Sequence, residues 1–392
     1  MHHTSLVWSD ALASYRFHAE HPLNPRRLEL TLGLIGRLGL AGDGARPIVA
    51  PRAATEDEVL AVHAPEYIAA VQRAATGQLS AELLARYGLG TEDVPVVAGM
   101  HEASLHIAGA TLTAADEVMS GRARRAFNPS GGLHHARRAE AAGFCVYNDL
   151  AVATRWLQRQ HGARVMILDI DAHHGDGTQW ILYDDPEVLK VSFHESGAFL
   201  FPGTGFVDEM GSGAGHGYTV NVPLDAHTED DSFIGAFDAL VPELAQAFRP
   251  DVILMQCGCD SHVLDPLTHL RCTTRMIEHA VASACAVADQ VCDGRLVATG
   301  GGGYAIHAVV PRAWTLVWAG LCGVQVADAL PEDWLRALRL ESGSEVPVLL
   351  RDPEGAFPPS PRRAVATHAN ARTVEAVRRQ VLPVLTGWGL AF

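Results

Sequence analysis

The densest run of chemistry-bearing residues is Leu168-Asp169-Ile170-Asp171-Ala172-His173-His174-Gly175-Asp176-Gly177. Asp171 and His173 stand at i and i+2, so an extended backbone puts both on one face. A carboxylate oxygen and an imidazole nitrogen suit a divalent ion such as zinc. Two ligands do not make a site, and Asp260, in Gln256-Cys257-Gly258-Cys259-Asp260, is a third candidate beyond another strand-like run. Asp–His–Asp leaves a coordination position for water, as catalytic zinc requires. A lone strand-end aspartate ordinarily caps the following helix. So much charge in one run has no structural use and is costly to bury.

A second cluster is Pro129-Ser130-Gly131-Gly132-Leu133-His134-His135. Adjacent imidazoles suit proton transfer near neutral pH. Each needs an acceptor to fix its tautomer, and Asp169 and Asp176 are the spare carboxylates. A histidine pair alone means little, as His2-His3 illustrates. The third cluster is Gly300-Gly301-Gly302-Gly303-Tyr304, where glycine lets the backbone come close to a ligand. A phosphate loop is excluded because tyrosine stands where lysine and a hydroxyl residue should follow. A tyrosine hydroxyl there can donate to a developing oxyanion.

These residues must be positioned by a fold. The 392 residues carry 30 basic and 45 acidic side chains, giving −15, with 20 histidines and 48% apolar residues. At roughly 150 residues per domain the length allows two or three domains, or one large α/β domain. The apolar fraction excludes a disordered chain. The acidic balance and the absence of long charge runs predict no nucleic-acid partner. No apolar run nears the roughly 18 residues of a membrane span, and the first residues lack a signal peptide's basic and apolar regions. Seven irregularly spaced cysteines predict free thiols and a cytoplasmic location. Apolar spacing predicts helices over 24–40, in two pieces broken at Pro65 over 55–74, over 99–119 and over 373–385, while residues 77–98 hold a loop, Gly88-Leu89-Gly90-Thr91-Glu92-Asp93-Val94-Pro95. Short apolar runs at 164–169, 188–193, 218–222, 251–256 and 295–299 alternate with helical stretches. That pattern predicts a parallel sheet covered on both faces. Ligands bind beyond the carboxyl ends of such strands, which is where the polar clusters lie.

The three clusters, in this order, resemble the zinc-dependent histone deacetylase family, and among its members the bacterial acetoin-utilisation type. The resemblance runs from about Tyr15 to Trp314. It includes His21-Pro22-Leu23-Asn24-Pro25-Arg26-Arg27, Tyr87-Gly88-Leu89-Gly90, Gly143-Phe144-Cys145-Val146-Tyr147-Asn148-Asp149, Phe201-Pro202-Gly203-Thr204-Gly205 and Asn221-Val222-Pro223. It implies a three-layer α/β arginase/deacetylase fold, whose central parallel sheet has about eight strands with helices on both faces. One domain over 1–392 follows, with residues 315–392 as a helical and proline-rich extension packed on the core. The implied activity is hydrolysis of the amide of Nε-acyl-lysine, acetyl-lysine on a protein first. Zinc falls to Asp171, His173 and Asp260. His135, oriented by Asp176, is implied as general base and acid; His134, paired with Asp169, as its electrostatic partner; and Tyr304 as the group that polarises the carbonyl. Phe144 and Phe201 match the walls of a substrate tunnel, with ordinary core packing as the alternative, and Gly143, Gly302 and Leu267 border it. Asp93 matches a rim carboxylate, although one extra residue in Thr91-Glu92-Asp93 makes Glu92 its rival. Arg27 matches an arginine behind the metal; a surface salt bridge is the duller reading. One potassium site would use Asp169, Ser192 and the backbone oxygens of Asp171, His173 and Phe193. A second would use backbone oxygens near Leu182, Asp185, Val188 and Tyr218. The implied partner is an acylated metabolic enzyme such as an acyl-CoA synthetase.

Two rivals share the fold. A binuclear arginase-type ureohydrolase needs further acids, where this sequence has Gly175 and His262. An acetylpolyamine hydrolase rewards acid at the tunnel mouth; Leu267 after Asp265-Pro266 argues against it, while the −15 leans mildly towards it.

Overall fold

A computed structural model describes residues 3–386. His2 and the two ends of the 1–392 assignment lie outside the described residues. Eight strands form one sheet: β1 (Thr4–Val7), β2 (Ile48–Val49), β3 (Arg125–Asn128), β4 (Val165–Asp169), β5 (Val188–Glu195), β6 (Thr219–Leu224), β7 (Val252–Gln256) and β8 (Leu296–Thr299). Their order is β2-β1-β3-β8-β7-β4-β5-β6, with every pairing parallel. The helices are α1 (Arg26–Arg37), α2 (Glu56–Leu60), α3 (Pro65–Ala75), α4 (Ala81–Arg86), α5 (Met100–Met119), α6 (Asp149–His161), α7 (Asp176–Ile181), α8 (Asp230–Phe248), α9 (Thr274–Val291), α10 (Val310–Cys322), α11 (Glu332–Ser342), α12 (Arg363–Gln380) and α13 (Leu382–Leu385).

Every residue of β4 and β7 is buried, so neither strand shows the polar–apolar alternation of a half-exposed sheet. Alternate residues still face opposite layers. Met166, Leu168, Ile253 and Met255 join the core under α8, α9 and α10. Val165, Ile167, Val252 and Leu254 join the core under α3, α5 and α6. Each such side chain contributes about 1.5–3 kcal/mol by leaving water, which offsets the cost of holding carboxylates dry at the strand ends.

Three strands escaped the sequence reading. β2 is two residues long, and β1 (Thr4-Ser5-Leu6-Val7) and β3 (Arg125-Ala126-Phe127-Asn128) hold only two apolar residues each, so none displays a continuous apolar run. The loop Gly88 to Pro95 has no regular structure, as expected, and it is preceded by α4, which was not anticipated and whose Ser80 side chain accepts from the Leu83 N–H as an N-cap. The last long helix begins at Arg363, not 373. It buries only Ala366, Asn370 and Val377, so its packing face is narrow and small-residued. α12 packs on α8 and β6. α11, not anticipated, packs Trp334, Leu335 and Leu338 on Leu30 and Leu34 of α1. No helix among the described residues is long and apolar enough to cross a membrane, and all seven cysteines are free.

Candidate active site

Four neighbouring strands, β3, β8, β7 and β4, deliver the three clusters to one edge of the sheet. Asp171 and His173 follow β4, Asp260 follows β7, His134 and His135 follow β3, and Tyr304 follows β8.

One ligand atom from each of Asp171, His173 and Asp260 lies within 4.8 Å of the others, and all three residues are buried. His173 Nδ1 is 2.8 Å from Asp260 Oδ2 and 3.2 Å from Asp171 Oδ1. The Ala172 N–H donates to Asp260 Oδ1 at 2.8 Å, and the Gly302 N–H and Gln256 side chain donate to Asp171 Oδ2 at 2.6 and 2.7 Å. No lysine or arginine contacts either carboxylate among the described residues. Burial works against charge on His173, yet the two carboxylates hold its imidazolium up at about 10. Two buried carboxylates and one imidazole therefore call for a cation, and an O,N,O donor set fits zinc. A side chain at Gly302 would collide with the Asp260 and Asp171 carboxylates, which accounts for one glycine of the four. Gly302, expected against substrate, instead directs its N–H at Asp171 and does not line the cavity.

The two adjacent histidines have opposite settings. His134 Nδ1 lies 2.7 Å from Asp169 Oδ2, and His135 Nδ1 lies 2.8 Å from Asp176 Oδ1. Their Nε2 atoms are 3.2 Å apart. Burial opposes charge on His134, but Asp169 and Asp171 outweigh it and raise the imidazole to about 9. For His135, burial and the charge of His134 together prevail over Asp176, and its value falls to about 4. Such divergence between neighbours separates a resident cation from a neutral proton acceptor. Asp176 also takes two hydrogen bonds from Arg137, at 2.8 and 3.2 Å, which weakens its pull on His135.

A cavity of about 600 Å³ opens onto this cluster. Its floor has His135, His173 and Tyr304; its walls have Gly143, Phe144, Leu200, Phe201 and Leu267; its mouth has His18, Glu92 and Asp93. Phe201 is 46% exposed, so the core-packing alternative fails for it. Phe144 has φ 68°, a conformation that costs a non-glycine residue about 1–3 kcal/mol. The Tyr15 hydroxyl donates to the Phe144 carbonyl at 2.7 Å, and the His21 ring packs 4.7 Å from the Phe144 ring. Gly143 (φ 49°) is required because a Cβ there would strike the His135 ring. The Tyr304 N–H donates to Asp265 Oδ2 at 2.7 Å, and burial pushes the Tyr304 phenol well above its ordinary value. Arg27 is not a surface salt-bridge residue. It is buried, donates to the Gly301 and Gly303 carbonyls at 2.7 and 3.1 Å, and lies over Trp314. It thus braces the glycine turn that carries Tyr304.

The expected monovalent-cation residues also fall into two groups. Parallel register sets Asp169 beside Ser192, with Phe193 next in β5, and Ser192 Oγ lies 2.8 Å from His194 Nδ1. Near Leu182 and Asp185, however, the carbonyls face the Lys190 ammonium, with Nζ 2.6 Å from Leu182 O and 3.5 Å from Asp185 O. Burial draws that ammonium down to about 7, against Asp185.

Tyr15, Asp265, Gln256 and Arg137 were missed as site residues. Asp265 and Gln256 were legible, because both stand close to the third ligand in sequence, and Arg137 follows His135 by two residues; Tyr15 reaches the site from a separate element and leaves no local trace. The binuclear rival loses its remaining side chains here. His174 bonds Thr204 and Gln179, His262 bonds Asp352, and Asp265 accepts backbone N–H groups. Among the described residues only Asp171, His173 and Asp260 form a metal-type cluster.

Comparison with known proteins agrees with this geometry. The histone deacetylase domain family matches residues 21–321. The acetoin utilization protein AcuC of Bacillus subtilis is 47% identical over 374 residues, covering 95% of this chain and 96% of its own. The protein of the same name from Staphylococcus xylosus is 40% identical, covering 95% and 97%. A crystal structure of an HDAC homolog from Aquifex aeolicus superposes with a TM-score of 0.84 at 31% identity, covering 96% of this chain and all of that one. An HDAC homolog complexed with SAHA superposes with a TM-score of 0.85, also at 31% identity.

Proposed function

The chain belongs to the histone deacetylase family and is an amidohydrolase, and from that premise we propose that it hydrolyses Nε-acyl-lysine, with acetyl-lysine on a protein as its first substrate. The observation that carries this reading is the cavity, walled by Phe144 and Phe201 and ending on His135, His173 and Tyr304. Aromatic walls suit the aliphatic stem of a lysine whose charge an acyl group has removed. Leu267, not an acid, completes the wall.

Asp171, His173 and Asp260 would hold zinc, which when bound supplies a Lewis acid and a water of lowered pKa. The remaining work falls to the chain. His135, neutral at pH 7, accepts the water's proton through Nε2, since Asp176 occupies Nδ1. His134 stays charged against Asp169 and adds positive potential without giving up its proton. The Tyr304 hydroxyl, kept protonated by burial, donates to the carbonyl oxygen as it becomes an oxyanion. His135 then returns its proton to the departing lysine amine. At the mouth, His21 Nε2 lies 3.2 Å from the Asp93 carbonyl. That contact holds Asp93's backbone and favours it over Glu92 for gripping the substrate main chain.

The cytoplasm, one potassium ion beside Asp169 and Ser192, and an acylated metabolic enzyme such as an acyl-CoA synthetase as substrate belong to the same proposal. The relatives' acetoin-utilisation name supports the last. Glu92 and Asp93 at the mouth keep a second reading, acetylpolyamine hydrolysis, in view. Acyl-lysine peptides of graded acyl length, assayed beside acetylspermidine with bound zinc and iron quantified, test both. Faster turnover of acetylspermidine than of every peptide would overturn the acyl-lysine reading.

A further inference from the structure

The sequence holds 30 lysines and arginines, and only one of them, Lys190, is a lysine. Lysine is ordinarily a surface residue, yet this one is 5% exposed within β5. Its Nζ donates to the Leu182 carbonyl at 2.6 Å and reaches the Asp185 carbonyl at 3.5 Å, while its own N–H donates to the Tyr218 carbonyl at 3.0 Å. Among the described residues no carboxylate accepts from Nζ; the Asp185 carboxylate is taken by Arg155 and Gln158. An amine set against two backbone carbonyls, with no anion in contact among the described residues, sits as a potassium-type ion would rather than as a member of an ion pair.

Leu182 and Asp185, whose carbonyls Nζ reaches, are also two of the four residues that family resemblance offers to a second monovalent cation, and the carbonyl of a third, Tyr218, is taken by the Lys190 backbone N–H. Two cations cannot share those oxygens. We propose that Lys190 is a built-in replacement for the second cation, so that this chain takes up at most one monovalent ion, the one beside Asp169 and Ser192. The family reading supplies only the comparison; the position of Nζ stands without it. Protonated or neutral, the amine fills the space and donates to Leu182. The proposal also accounts for the residue type. An ammonium is a compact point charge on a flexible stem, whereas a guanidinium is a wide planar fork. A chain that uses arginine everywhere else keeps lysine at the one place where a potassium-sized group is needed. The device has a structural target too. Leu182 and Asp185 lie in the connection that follows α7, whose first residue is Asp176. Holding that connection without a dissociable ion makes the support of His135 independent of salt.

The test counts ions. Equilibrium dialysis of the zinc-loaded protein against rubidium, with choline as the inert comparison, is expected to give at most one equivalent per wild-type chain. Lys190→Thr opens the space and is expected to bind one equivalent more, and to melt several degrees higher in potassium than in choline. Two equivalents on the wild-type chain would overturn the proposal whatever the variant does. So would a Lys190→Thr chain that gains no ion, or that fails to fold in potassium. Deacylation of acetyl-lysine peptide is a separate readout: its absence with the ion count as expected would sink the substrate reading and leave this one standing.

Discussion

Where β4 and β7 end, two buried carboxylates and an imidazole converge with no lysine or arginine against them among the described residues. Where β5 begins, backbone carbonyls converge on an ammonium that the chain itself provides. Both regions lie along one sheet, and β4 and β5 are paired neighbours. The first gathers net negative charge, so a cation of more than unit charge suits it. The second gathers only dipoles, for which a single charge is enough. The difference tracks the task. A centre that activates water must leave a coordination position open and exchangeable. A centre that only holds a connection in place has no use for exchange, and a covalently attached cation serves it better.

The largest way to break this contrast is at the first region. Chelation of the protein, or Asp260→Ala, is expected to take deacylation below detection, with added zinc restoring the chelated wild type but not the variant. Activity surviving thorough chelation would remove the distinction altogether. Next comes Tyr304→Phe, which deletes one donor to the oxyanion and leaves the Asp265 contact to its backbone. About a 10²–10³-fold loss in kcat is expected, with KM little changed. A loss confined to KM would make Tyr304 a binding group. At the second region, Lys190→Met leaves the Leu182 and Asp185 carbonyls without their donor in a buried place. A loss of about 1–3 kcal/mol in stability follows, read from chemical denaturation. The folded fraction is expected to keep its kcat, since Lys190 touches no reacting atom.

How far the sequence could foresee these two regions differs for the same physical reason. Metal ligands and proton-transfer groups are side chains packed into short runs at strand ends, so Asp171, His173, Asp260, His134, His135 and Tyr304 stand out by type and spacing. β4 to β8 were legible because continuous apolar runs mark a sheet buried on both faces. β2 is only two residues long, and β1 and β3 hold only two apolar residues each, so none shows a continuous apolar run. The carbonyl site has ligands that every residue possesses, so nothing in the sequence signals it. What resides there is decided by where one side chain ends, and Lys190 within Val188-Leu189-Lys190-Val191 reads only as a polar interruption of a strand. Tyr15 escaped notice because it reaches the site across a long sequence separation through one hydrogen bond, and Arg137, although two residues after His135, because nothing local says that it bonds Asp176.

Asp176 joins the two regions and yields a subtler test. Burial works to raise its carboxyl, but His135 and Arg137 hold it down at about 2. A carboxylate lowered by folding adds stability above its ordinary value near 4, and that contribution is lost as pH falls towards 2. Wild-type stability should therefore drop through this window, and Arg137→Gln should flatten the drop by giving up part of the contribution at neutral pH. Because Arg137 is about two-fifths exposed, screening limits the change to about 1 kcal/mol. The same variant leaves Asp176 free to pull harder on His135. The acid limb of kcat/KM should then move to higher pH, whereas a purely structural role for Arg137 would leave it in place.

The smallest expected effect is at the mouth. Asp93→Asn should raise KM for acetyl-lysine peptides severalfold and leave kcat alone, because Asp93 is an exposed lining residue whereas His135 and His173 are buried. Glu92→Gln should do little, since no contact like that between His21 and the Asp93 carbonyl holds it. The opposite ranking would make Glu92 the gripping residue. If both variants weakened acetylspermidine more than the peptides, the mouth would be a cation receptor. The chain would then have three cation-binding places of three kinds: an exchangeable divalent centre, a covalent ammonium and an acidic rim for a charged substrate.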